Sequence, residues 1–98
     1  MHFAAAVRAL GASARRQGLR APSFRSPPRL WGATRTLRHR PQGGAVVAVA
    51  VRDRPWPAVL ADLVEGVVVA NELHGPGAER ARAALWADVS PTDGELAA

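Results

Sequence analysis

The sequence predicts a small, mostly α-helical fold. A helical hairpin over about residues 57–73 and 77–88 follows one short strand at 45–51 and a largely disordered, arginine-rich N-terminal arm. Three observations lead to this reading. All eight acids (Asp53, Asp62, Glu65, Glu72, Glu79, Asp88, Asp93 and Glu95) lie beyond residue 52, whereas ten of the thirteen arginines precede Asp53. Val59, Leu60, Leu63, Val64, Val67 and Val68 recur at steps of one and three, the period of a helix with one apolar stripe. Residues 45–51 form an unbroken apolar run with four valines after Gly43 and Gly44, the composition of a buried strand.

At the front, Phe3, Val7, Leu10 and Ala14 share one face of a weak amphipathic basic helix over 1–17. Residues 18–44 combine Pro22, Pro27, Pro28, Pro41, Gly32, Gly43 and Gly44 with six arginines. Their only large apolar groups are Leu19, Phe24, Leu30, Trp31 and Leu37, too few to offset the entropy of ordering such a stretch. A disordered arm is the expectation. The strand at 45–51 is far too short to cross a bilayer, which takes about 20 helical residues. Pro57 suits the first turn of a helix, and Gly75 with Pro76 supplies a stop. The competing reading is α+β: the first helix ends at Gly66 and residues 67–73, with three consecutive valines, make a second strand. Glu79 opens the second helix, in which Ala78, Ala81, Leu85 and Val89 share a face, and residues 90–98 are expected to fray.

A folding unit of residues 45–89 is small for independent stability. With no cysteine to make disulfides, association with a second copy or a protein partner is the remaining route. Leu63, Val67, Trp56 and Trp86 are the candidate interface residues, the tryptophans because large aromatics anchor interfaces.

The net charge of +5 points to anionic partners. Lysine, isoleucine and tyrosine are absent while alanine, glycine, arginine and proline dominate, the mark of a high-GC bacterial genome. Codon pressure explains arginine in place of lysine. It does not explain the missing acids before Asp53. Arg15, Arg16, Arg20, Arg25, Arg29, Arg35, Arg38 and Arg40 are therefore candidate phosphate contacts of an RNA- or DNA-binding arm without strong sequence selectivity, with Phe24 and Trp31 as candidates to stack on unpaired bases. The same residues fit a mitochondrial presequence, which is amphipathic, arginine-rich and poor in acids; removal of the first 40 or so residues on import would leave a small acidic unit in the matrix. A third reading is a pure protein-interaction module. A cytoplasmic location accompanies the bacterial reading.

Chemistry is sparse. His2, His39 and His74 are scattered without metal-ligand spacing, and Gly43 and Gly44 lack the pattern of a phosphate loop. Asp62 with Glu65, and Glu72 with His74, read as a solvated helix face and a helix end. Ser90 has no neighbouring base. A non-enzymatic binding protein, with no cofactor and no metal, is the expectation.

Overall fold

The computed structural model describes residues 2–90, and the expected frayed tail beyond Ser90 lies outside them. Helix α1 spans Phe3–Arg16, strands β1, β2 and β3 span Ser23–Arg25, Arg35–His39 and Ala45–Val49, and helices α2 and α3 span Trp56–Ala70 and Gly75–Val89. The three strands form one mixed sheet in the order β1-β3-β2, with β1 parallel and β2 antiparallel to the central β3. The fold is thus α+β rather than mostly α: β3 falls within the strand expected at 45–51, whereas β1 and β2 lie in the segment expected to be disordered and not at 67–73.

The front of the chain is not a disordered arm. Ala6, Leu10 and Ala14 of α1 are completely buried in the same core as Val47, Leu60, Leu63 and Leu85, and α1 packs against both α2 and α3. Residues 18–44 supply two of the three strands, and the radius of gyration of 13.0 Å is that of a compact chain of this length. The physical reason lies in β3. An apolar central strand leaves two rows of backbone N–H and C=O groups to be satisfied, and only the arginine-rich segments before it are free to pair with them. The premise for obligatory association also weakens, because the core draws on α1 and on Phe24 of β1 as well as on β3, α2 and α3, rather than on residues 45–89 alone.

Each element ends for a local reason. Arg15 and Arg16 sit in the last turn of α1 and complement its dipole. Gly18, at φ 73°, then lets the Leu19 N–H reach back to the Ala14 carbonyl at 2.8 Å. In α2 the same closure falls on a non-glycine residue: Glu72 adopts φ 54° while the Leu73 N–H donates to the Val68 carbonyl. Gly75 and Pro76 therefore start α3 instead of stopping α2.

Gly66 does not end α2, and residues 67–73 do not form a strand; Val67 and Val68 are buried helical residues. Glycine at 66 serves close approach. A Cβ there would lie 2.7 Å from Val47 Cγ1 and 3.1 Å from Phe24 Cε1, so the missing side chain is what lets α2 lie directly on the sheet.

Candidate functional site

Register sorts the arginines. Val47 and Val49 belong to the core, so the residues paired with them face the helices: Phe24 and Leu37 beside Val47, and Arg35 beside Val49. The opposite face of the sheet carries the alternate residues. Arg25, Ala48 and Thr36 form one row across it, and Ser23, Val46 and Arg38 the next. Arg25 and Arg38 thus stand at opposite edges of this outer face, about 12 Å apart at the backbone from standard strand spacings, over a floor of small side chains and two hydroxyls.

Arg35, on the inner face, has a different task. Its guanidinium donates to Asp62 Oδ1 at 3.1 Å, and Arg54 donates to Asp62 Oδ2 and, at 2.6 Å, to the Ala50 carbonyl. Asp62 is thereby enclosed by two cations at the helix-sheet junction instead of lying on a solvated face. Arg16 is also committed, donating to Asp88 at 2.9 Å between α1 and α3, although its side chain is largely exposed. Arg82 holds Glu65 through two bonds, at 2.8 and 3.0 Å, bridging α2 and α3. Arg15, Arg20, Arg25, Arg29, Arg38 and Arg40 have no acidic partner among the described residues, and Arg8 and Arg80 share that condition. Arg20 is fixed through its backbone, which exchanges two hydrogen bonds with the Asn71 side chain at 2.8 and 2.9 Å.

The two aromatics proposed for stacking separate. Phe24 is half-buried against the core beneath Gly66, with its ring turned toward the helices. Trp31 is 90% exposed. It occupies a tight turn in which the Ala33 N–H bonds to the Leu30 carbonyl and Gly32 takes φ 77°, the positive value that a type II turn needs at its third position. The loop carrying this turn is held to the segment after β3: the Arg52 N–H donates to the Pro28 carbonyl and the Ala50 N–H to the Thr34 carbonyl.

Of the four interface candidates, Leu63 and Val67 are fully buried in the interior, and Trp56 is half-buried against it. Trp86 alone reaches the surface appreciably, in a groove of about 500 Å³ between α2 and α3 lined with Ala61, Val64, Glu65, Arg82 and Ala83. A smaller cleft of about 300 Å³ opens where the sheet meets the end of α2, with Arg20, His39 and Glu72 on its rim. Among the described residues no cluster of three His, Asp or Glu side chains is arranged to hold a metal ion, and no helix is long and apolar enough to cross a membrane.

Family models, curated proteins and solved structures give no match to this chain. The reading of function therefore rests on the arrangement of its own side chains.

The ion pairs on the helical side give a pH signature. The hydrogen bond from Arg82 lowers the Glu65 pKa from its ordinary value of 4.5, and the Ser13 hydroxyl, followed by Arg16, lowers that of Asp88 from 3.8. A carboxylate depressed in the folded state contributes stability that is fully present above its unfolded pKa and is lost as pH falls through the folded one. Urea unfolding is expected to give a lower midpoint at pH 3 than at pH 7, with Glu65→Gln reducing the difference. An unchanged pH dependence in that variant would show that the Arg82 pair contributes nothing.

Proposed function

We propose that this protein is a non-enzymatic binding module that holds a nucleic-acid backbone, RNA or DNA, on the outer face of its sheet and the adjoining loops. One observation carries the reading: the arginines of that face and its loops have no acidic partner among the described residues, while Asp62, Glu65 and Asp88 on the helices engage Arg35, Arg54, Arg82 and Arg16. A basic surface whose charges are not neutralised internally attracts phosphates and gains from counterion release. Arg25 and Arg38 are the central contacts, and Arg29 and Arg40, in the loops that flank the sheet, extend the same surface. Arg35 is set aside as a structural cation. Ser23 and Thr36 add hydroxyl donors to the floor, of the kind that position a backbone without reading sequence.

Processing by an organellar import system is less compatible with this architecture. Removing some 40 residues would take away α1 and two strands, exposing Val47 and leaving both edges of β3 unpaired.

The test is a titration of fluorescent single- and double-stranded oligonucleotides at several salt concentrations. Affinity is expected to fall steeply as salt rises. A variant with Arg25, Arg29, Arg38 and Arg40 all changed to glutamine is expected to bind far more weakly, its salt dependence flattened by about one unit of slope for each contact removed. Single replacements should have small effects. Absence of binding at low salt, or binding that salt does not weaken, would overturn the proposal.

A further inference from the structure

We propose that Trp31 is a stacking platform for an unpaired base, so that the preferred ligand of the basic face is single-stranded nucleic acid. This inference rests on the polyanion reading above and adds to it the part that recognises a base. Tryptophan at 90% exposure contributes almost nothing to the core, and its large apolar surface is costly to leave in water. The turn that presents it is nonetheless built. Gly32 supplies the positive φ, the Leu30–Ala33 bond closes the corner, and two further backbone bonds hold the loop to the segment after β3. The indole is thus offered outward from a fixed base, which lowers the entropy lost when a flat partner covers it.

Its surroundings select the partner. Arg29, two residues before the indole, has no acidic partner among the described residues, and the loop leads directly from Arg25 into the strand that carries Arg38. An exposed aromatic plane in the same loop as an arginine without an acidic partner among the described residues matches a single strand, in which each unpaired base lies close to a phosphate. A duplex offers phosphates but keeps its bases stacked inside. A membrane surface is a poorer match, because its insertion loops combine several apolar side chains, whereas Leu30 and Pro27 are half-buried and Trp31 stands alone among polar and small neighbours. Phe24, with its ring turned toward the helices, takes no part.

The experiment compares wild type, Trp31→Ala and Trp31→Phe for binding to a short oligothymidylate, a duplex of equal length, inorganic polyphosphate, and phosphatidylserine vesicles. Circular dichroism melting should be unchanged in both variants, since the residue is exposed. Trp31→Ala is expected to weaken oligothymidylate binding roughly tenfold or more without altering the slope of its salt dependence, while binding of polyphosphate stays as in wild type. Trp31→Phe should retain most of the affinity. Equal loss for oligothymidylate and polyphosphate, no loss for either, or a loss confined to vesicles would overturn the stacking role and leave the arginine surface standing. If wild type binds none of the polyanions at low salt, the underlying polyanion reading falls first and stacking falls with it.

Discussion

Replacing Leu10 with aspartate is expected to unfold the whole chain and not merely α1. Leu10 is completely buried where α1 packs on α2 and α3, so the substitution removes a leucine from the core and places a carboxylate among Leu60, Leu63 and Leu85. Losing the apolar burial costs about 2–3 kcal/mol, and an unpaired carboxylate at such a site costs at least as much again. A domain of this size has a total stability of about 5–10 kcal/mol. Far-UV circular dichroism should therefore show loss of helix throughout, with the midpoint of any remaining urea transition moved sharply down. Ala4→Asp makes the same charge change on the exposed side of the same helix and should leave the fold intact. If Leu10→Asp kept the signal of α2 and α3 and lost only that of α1, the first helix would be an appendage and not part of the core.

The second large effect is expected at Gly66. Helix propensity alone favours replacing a mid-helix glycine, by about 1 kcal/mol for alanine. Packing here reverses the sign. An added Cβ would meet Val47 Cγ1 at 2.7 Å, and Val47 is a stiff, β-branched side chain on the central strand with no room to withdraw. Gly66→Ala should destabilise, and Gly66→Val should cost about 3 kcal/mol or more by prising α2 from the sheet. Chemical denaturation measures both. Val47→Ala combined with Gly66→Ala should recover part of the loss, because the two sites share one contact. A Gly66→Ala protein more stable than the parent would show that the helix-sheet approach is looser than described.

These two residues also show which parts of the fold could be read from the sequence. The helices of the hairpin were legible because their buried positions are large and periodic: Leu60, Leu63, Val67 and Leu85 leave little choice of face. β3 was legible because nearly every side chain in it is apolar. The first helix was visible as a helix but not as core, since the residues it buries include Ala6, Gly11, Ser13 and Ala14, and small side chains carry little hydrophobic signal while permitting close packing. β1 and β2 were hidden for a related reason. Each is an edge strand with one face open to water, so Phe24 and Leu37 are their only large apolar residues, and the arginines that alternate with them mimic the composition of a disordered segment. Gly66 invited only the competing reading of a helix that stops there, and the continuous helix is what forms; the reason for a glycine at 66 was hidden because a sequence cannot say what lies opposite it.

The candidate site was legible as a charge and not as a surface. Cross-strand partners are required to learn that Arg35 turns inward to Asp62 while Arg25 and Arg38 turn outward, and exposure is required to separate Trp31 from Phe24. Asp62 and Glu65 of α2 looked like solvent-facing residues, yet they pair with Arg35, Arg54 and Arg82, while Arg25 and Arg38 have no acidic partner among the described residues.

The order of the sheet has a bearing on biosynthesis. The middle strand is the last of the three to leave the ribosome, and the two made earlier lie on either side of it. Neither can find its neighbour until residue 49 has emerged, and the layer that shelters them follows later still. During that interval the nascent chain is strongly cationic, short of oily side chains, and kept apart by its own repulsion. The lack of acids before Asp53 thus keeps a waiting polypeptide soluble as well as leaving its finished surface charged.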